Sequence, residues 1–228
     1  MALLAKACVV LTGFTIVAVQ VAPATATNTV PDSFAFDVEA RGIDGGKFHV
    51  SHSVEDGKRI VDVDANLKFK LGFITLKKVK HHSREVWSDN TLQALDSETK
   101  KDGDLILVKA EATPKCLLVQ SSEKGELEMP LDTTPTSFTK PGLFNGTETR
   151  NIDLLDTLNG RERPSVLSFG GRERIKIRDA LVDSRYYQVH SRETGELTHE
   201  FWIDDAGMAM QIFQHTDDGT KVEYTYSG

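Results

Sequence analysis

Cysteine is nearly absent from this chain of 228 residues, which carries Cys8 and Cys116 and no third. If the leader described below is removed, Cys116 stands alone, so no internal disulfide can form and stability must come from a packed core. About 200 residues are enough for one such core, and one domain is the expectation. Phosphate and cofactor signatures are missing as well. There is no Walker-type glycine loop and no dinucleotide fingerprint. The nearest approach to a nucleophile elbow, Ser168-Phe169-Gly170-Gly171, lacks the glycine two residues before the serine. Positive charge is short too: 27 Lys and Arg against 34 Asp and Glu leave a formal charge of −7. That balance argues against phosphate backbones and anionic membrane surfaces as partners.

What is present begins at the N-terminus. Lys6 precedes an uncharged run from Ala7 to Val21, followed by small residues from Ala22 to Ala26. This is the pattern of a secretory leader, residues 1–26, cleaved after Ala24 or Ala26. The apolar run is about 15 residues, short of the roughly 20 that cross a bilayer as a helix. Residues 27–228 are then a single exported domain, periplasmic or secreted, and not an integral membrane protein.

Alternation dominates the remainder. Leu197, His199, Phe201 and Ile203 share one strand face, with Thr198, Glu200 and Trp202 on the other. Turn residues at 204–207 and 217–219 separate this run from Met208–Ile212 and Val222–Tyr226, which gives a β-meander. Further alternating runs occur at 34–38, 48–54, 60–64, 67–71, 73–79, 81–87, 105–108, 116–120, 175–178 and 187–190. Asp44-Gly45-Gly46 reads as a turn, and Gly72 as a bend within one long strand. One helix is expected: Asn151 caps it, Leu154 or Leu155 and Leu158 share a face, and Asn159-Gly160 ends it. From Met129 to Gly142, three prolines and four threonines make a long crossing segment, the best candidate for a strap over the sheet. The expected fold is therefore mostly β, a curved antiparallel sheet or half-barrel of roughly ten strands with one short helix.

Two windows carry a resemblance to a known family. His81-His82-Ser83-Arg84-Glu85-Val86-Trp87, followed by Leu92, Leu95, Asp96, Ser97, Thr99 and Gly103, resembles the central motif of the DUF6134 proteins of bacteria. Leu158-Asn159-Gly160, then Trp202 through Gly207, Gly219 and Tyr224, resembles that family's C-terminal half. The resemblance implies an exported, mostly β protein without an established activity. In outline it is similar to the DUF3108 group and the lipoprotein-carrier half-barrels, in which a helix or loop partly closes a curved sheet. The family defines no catalytic residues, so none is carried over.

Candidate chemistry is sparse. Among seven histidines, His49 and His52 face opposite ways on a strand, as do His81 and His82, whereas chelation from one strand wants i and i+2. No metal and no cofactor is assigned. Cys116 reads as a core thiol. Glu85, Glu200, Asp204 and Asp205 offer carboxylates for acid–base work, but no catalytic residue is assigned. Glu85, Trp87 and Trp202 are the ligand-binding candidates: the first two share a strand face, and the third is a large aromatic on the face away from Phe201. The leading functional expectation is a non-enzymatic envelope protein that holds an apolar small molecule or lipid on the curved sheet. A scaffold that recruits an envelope protein by sheet-edge addition is the second reading, and a secreted hydrolase with paired carboxylates the third. Nucleic acid is not expected as a partner.

Overall fold

In the computed structural model, residues 32–71 and 74–228 are described. The leader at 1–26 and the bend at Gly72 lie outside the described residues. The strands are β1 (Ser33–Ala40), β2 (Ile43–Glu55), β3 (Lys58–Leu71), β4 (Ile74–Ser88), β5 (Thr91–Lys101), β6 (Asp104–Ala112), β7 (Leu117–Ser121) and β8 (Gly125–Met129). They continue as β9 (Thr134–Pro135), β10 (Arg150–Leu155), β11 (Glu162–Ile177), β12 (Ala180–Ser191), β13 (Leu197–Ile203), β14 (Ala209–His215) and β15 (Lys221–Tyr226).

Side-chain alternation makes these strands. On β3, Val61, Val63, Ala65, Leu67 and Phe69 are buried, while Asp64, Asn66, Lys68 and Lys70 between them are exposed. Tight turns link the strands. Arg41-Gly42, Asp56-Gly57 and Asp102-Gly103 each place two consecutive residues at positive φ, the two-residue hairpin whose twist matches the flanking strands.

All fifteen strands form one sheet, in the order β8-β7-β6-β5-β4-β3-β2-β1-β15-β14-β13-β12-β11-β10-β9. The pairings are antiparallel except β9 with β10. β1 and β15 join the two halves, with Val38 opposite Tyr224 and Phe36 opposite Tyr226. The two edge strands are consecutive in sequence. Residues 130–133 alone separate Met129 from Thr134, so the edges lie within about 18 Å of each other even if that link is fully extended. A sheet with fifteen strands can meet that limit only by rolling up on itself. Leu155 of β10 accordingly packs in one buried cluster with Leu117, Val119 and Met129 of β7 and β8.

Four expectations are corrected. Among the described residues the strands number fifteen rather than roughly ten; β5, β8, β9 and β10 lie in segments that read as turn, loop or helix. The described residues contain no helix: Arg150–Leu155 is β10, paired from Arg150↔Leu167 to Leu155↔Glu162, and Asp156–Gly160 is a turn closed by Gly160 N donating to Asp156 O at 2.7 Å. The runs 67–71 and 74–79, read as parts of one long strand, belong to two strands, β3 and β4, which pair antiparallel with Leu71 opposite Ile74. Asp44–Gly46 does not reverse the chain but lies inside β2 at an irregularity in its pairing with β1. Gly45 is needed there because the Phe69 ring occupies its Cβ position, with an atom only 2.3 Å away.

Candidate ligand cavity and the strap that closes it

Successive antiparallel strands put alternate turns at opposite ends of the roll. At one end are the turns after β1, β5, β7, β10, β12 and β14; at the other are those after β2, β4, β6, β8, β11 and β13, together with residues 136–149. The two ends differ in chemistry.

The second end is closed. Residues 136–149 cross it, and β4 supplies the anchor. Glu85 and Trp87 point inward and are both fully buried. The Trp87 indole N–H donates to Glu85 Oε2 at 3.0 Å, Ser137 Oγ donates to Oε1 at 2.5 Å, and Thr139 Oγ1 donates to Oε2. Arg59 of β3 donates to the Thr139 carbonyl at 3.0 Å and lies 3.2 Å from His52 Nδ1. Burial pushes the Glu85 carboxyl up from its ordinary pKa, opposed by its three donors and by the Arg59 charge. Burial also lowers His52, to about 4, with Arg59 adding to the effect. The other side of the strap is tied to the far half of the sheet. Tyr187 Oη donates to the Phe144 carbonyl at 2.6 Å, Arg185 donates to the same oxygen at 2.8 Å, and Phe138 and Phe144 pack on Phe201 at centroid distances of 4.6 and 4.9 Å.

The first end is open. Between the two halves lies a cavity of about 720 Å³, within the range of small-molecule sites. Its apolar wall includes Phe48, Leu67, Phe69, Val79 and Tyr224, which belong to the buried cluster where the two halves join. Two imidazoles interrupt that wall. His81 is paired through Nδ1 with Thr99 Oγ1 at 2.9 Å, and its pKa is lowered to about 4 chiefly by burial. His199 packs against Phe138 at 4.8 Å and is lowered to about 3 by burial, then by the charges of Arg163 and His215. Both are neutral at pH 7. Tyr224, pushed up to about 12 by burial, donates to Gln214 Oε1 at 3.1 Å. Charges gather at the rim, among them Arg41, Lys77, Lys101, Glu193 and Asp218.

A second inward turn narrows the mouth. Ser97 and Ser121 donate to the carbonyls of Thr157 and Asn159, both at 2.6 Å, which fastens the β10–β11 turn onto β5 and β7. Gly160 sits there at φ +78°, where a Cβ would come 2.5 Å from Ser121 Cβ.

The ligand-binding candidates from the sequence fall in two places. Glu85 and Trp87 are brought together, at the strap. Trp202 is apart from them on the outer face, 4.8 Å from Tyr186 and 5.0 Å from Phe213 between ring centroids, with its indole N–H donating to Glu173 at 2.8 Å. None of the three lines the cavity. The four carboxylates weighed for acid–base chemistry do not pair either. Glu85 serves the strap, Glu200 accepts from Tyr186 and lies 2.9 Å from His215, Asp204 caps its own turn through Met208 N, and Asp205 pairs with Arg172. Cys116 is half-buried in the β6–β7 turn, 3.5 Å from Thr113 Oγ1. The residues missed, His81 and His199 above all, did leave a signal: each is a polar residue on the apolar side of an alternating strand.

With this geometry in view, comparison with known proteins gives a family. The model described as "Domain of unknown function (DUF6134)" matches residues 36–227. The chain belongs to that family. This DUF6134 chain matches no curated protein in sequence. Among solved structures it is similar to a β-barrel-like DUF1849 protein from Brucella abortus, at 9% identity and a TM-score of 0.64, over 89% of this chain and 98% of that one. A DUF1089 family protein from Pseudomonas aeruginosa aligns at 12% identity and TM-score 0.44, over 80% and 89% of the two chains. The hypothetical lipoprotein YmcC from Escherichia coli aligns at 16% and 0.35, over 86% and 84%. The DUF1849 likeness is one of fold alone.

Proposed function

We propose that this DUF6134 chain is an exported, non-enzymatic envelope protein that holds an apolar or lipid-like ligand inside its rolled sheet. The observation that carries the reading is the cavity of about 720 Å³, walled by Phe48, Leu67, Phe69, Val79 and Tyr224 and open at one end. Burial of a single alkyl chain is sufficient for binding without any catalytic group. At about 0.8 kcal/mol per methylene, roughly ten methylenes contribute on the order of 8 kcal/mol, near micromolar affinity before ordering costs. The strap supports the same reading, because it plugs the far end and leaves the mouth as the route in. Export rests on the leader pattern at residues 1–26.

Edge addition is less favoured by the geometry. β9 has two residues and β8 five, and the two edges are tied to each other by residues 130–133, so neither presents a long free ladder. Native mass spectrometry of protein purified from its own host without detergent tests the ligand reading. An adduct with the mass of a lipid or other apolar molecule is expected, recoverable by organic extraction. Bare protein in every preparation, with nothing extracted, would contradict it.

A further inference from the structure

On the outer face of the sheet, beside the cavity mouth, lysines stand directly opposite lysines. Lys68 of β3 is in register with Lys78 of β4, and Lys80 of β4 with Lys100 of β5. All four are exposed, and Lys70 lies two residues beyond Lys68 on the same face. Like charges directly opposite in an antiparallel pair are destabilising. The repulsion is visible at Lys68, whose pKa is lowered first by Lys70, with Lys78 contributing. The adjoining Lys77 and Lys101 turn to the other face and line the rim. Seven lysines thus gather at one corner of an acidic chain. The carboxylates beside them are Asp64, engaged by His82 at 2.9 Å, Glu98, 3.6 Å from Lys100, Asp102, whose Oδ1 accepts from the backbone N–H of Lys78, Asp104, across the turn from Lys101, and Asp218, which feels the Lys77 charge; Glu123, Glu193 and Asp217 also line the mouth. The furrow on this outer face, about 630 Å³, is lined by Lys47, Lys80 and Lys100 along with Asp64 and Glu98.

We propose that this lysine corner docks the protein onto an anionic lipid surface, with the cavity mouth turned toward it. The inference rests on the ligand-holding reading above and deepens it by naming where the ligand is exchanged. Charge complementarity identifies the partner as anionic. The position of the patch identifies it as lipid, because Lys77 and Lys101 join the patch to the opening of an apolar cavity, and an anionic bilayer offers phosphate headgroups and alkyl chains side by side. The net charge of −7 hides this corner by averaging over the whole chain. Juxtaposed lysines and an anionic leaflet attract locally within about a Debye length, whatever the remote charges.

Vesicle flotation tests the proposal, with full-length mature protein, phosphatidylcholine vesicles, and vesicles in which about a third of the lipid is phosphatidylglycerol. The protein is expected to float with the anionic vesicles at low salt, not with the neutral ones, and to be released by 0.5 M salt. The variant Lys68→Glu/Lys80→Glu replaces each lysine–lysine pair by a lysine–glutamate pair. Its partition should fall by roughly two orders of magnitude, while its thermal midpoint stays level or rises, since repulsion has been relieved. Equal flotation with both vesicles, unchanged flotation of the variant, or retention by duplex DNA without flotation would each overturn the proposal. Uptake of a fluorescent fatty-acid probe in vesicle-free buffer separates the two claims. If the probe is taken up without flotation, docking alone fails; if it is never taken up, the ligand-holding reading fails.

Discussion

Trp87 donates its indole proton to Glu85 at 3.0 Å, two residues away on the same face of β4, and both side chains are sealed from solvent. The pair sits under the strap, so a carboxylate that the sequence offers as a ligand contact acts as the post to which residues 137–139 are tied. Replacing Glu85 by Ala would leave the Trp87, Ser137 and Thr139 donors and the Arg59 charge without their acceptor. We expect a loss of roughly 3–5 kcal/mol in urea unfolding. Limited proteolysis should then cut first within residues 130–149. Protection of that segment equal to wild type would argue against the tether.

Acid should destabilise the protein earlier than carboxylates alone would predict. His52 and His81 are lowered to about 4 and His199 to about 3, from an ordinary 6.5. A histidine whose folded pKa is depressed binds fewer protons folded than unfolded, so its contribution is complete above 6.5 and lost as pH falls toward 4 and 3. Glu85 has the opposite sign. Its raised pKa makes the folded state hold a proton longer, so its contribution is fully present below 4.5 and is lost as pH rises from there through its folded value. Thermal midpoints measured from pH 7.5 to 4 should fall below about 6.5, and the double variant His81→Gln/His199→Gln should flatten that limb. An acid limb as steep in the double variant as in wild type would show that these two imidazoles titrate normally.

The β10–β11 turn is held against β6 and β7 by a contact that tolerates no side chain at residue 160. Gly160→Ala adds a Cβ 2.5 Å from Ser121 Cβ at a φ of +78°. Strain and overpacking together should cost about 2–4 kcal/mol. Gly207→Ala, also at positive φ but with open space around it, should cost less, about 1 kcal/mol. Equal losses would mean that the close approach is not maintained in solution.

Trp202 lies on the outer face, and its removal separates stability from binding. Trp202→Ala should cost roughly 3 kcal/mol through lost packing on Tyr186 and Phe213. Uptake of an apolar probe should stay within about twofold of wild type, since the side chain does not line the cavity. A large loss of uptake at preserved folding would place Trp202 in the binding site after all.

How far the sequence could be read follows from the range of the interactions. The three strands of the β13, β14 and β15 meander were legible, because alternation and turn chemistry are local, but the bulge that puts Ala209 and Ile212 in one cluster breaks the expected Met208, Met210, Ile212 alternation. The Arg150–Leu155 segment was not, since Leu154, Leu155 and Leu158 fit a helical face as well as a strand, and pairing with β11 across the following turn decided the outcome. β8 was masked by the outward Glu126 and Glu128, which leave only Leu127 and Met129 to mark an inner face. The Met129–Gly142 segment was legible by composition as a crossing segment, though it also contains β9 and the strap runs on to residue 149. That the strap is moored to Glu85, 52 residues away in the chain, and that β1 pairs with β15, could not be seen, because those contacts exist only after the sheet has rolled. For the same reason the cavity had no sequence signature beyond its two inward histidines.

The central claim, that the interior accepts an apolar chain, is most directly tested by filling it. Ala65 is buried in the cavity wall, and Ala65→Phe would place a ring in that space without touching the strap or the lysine corner. In a fluorescence titration with a single-chain fatty-acid probe, wild type should saturate near one probe per protein at micromolar concentration, and the folded variant should bind at least tenfold more weakly. Equal saturation by both proteins would contradict the account.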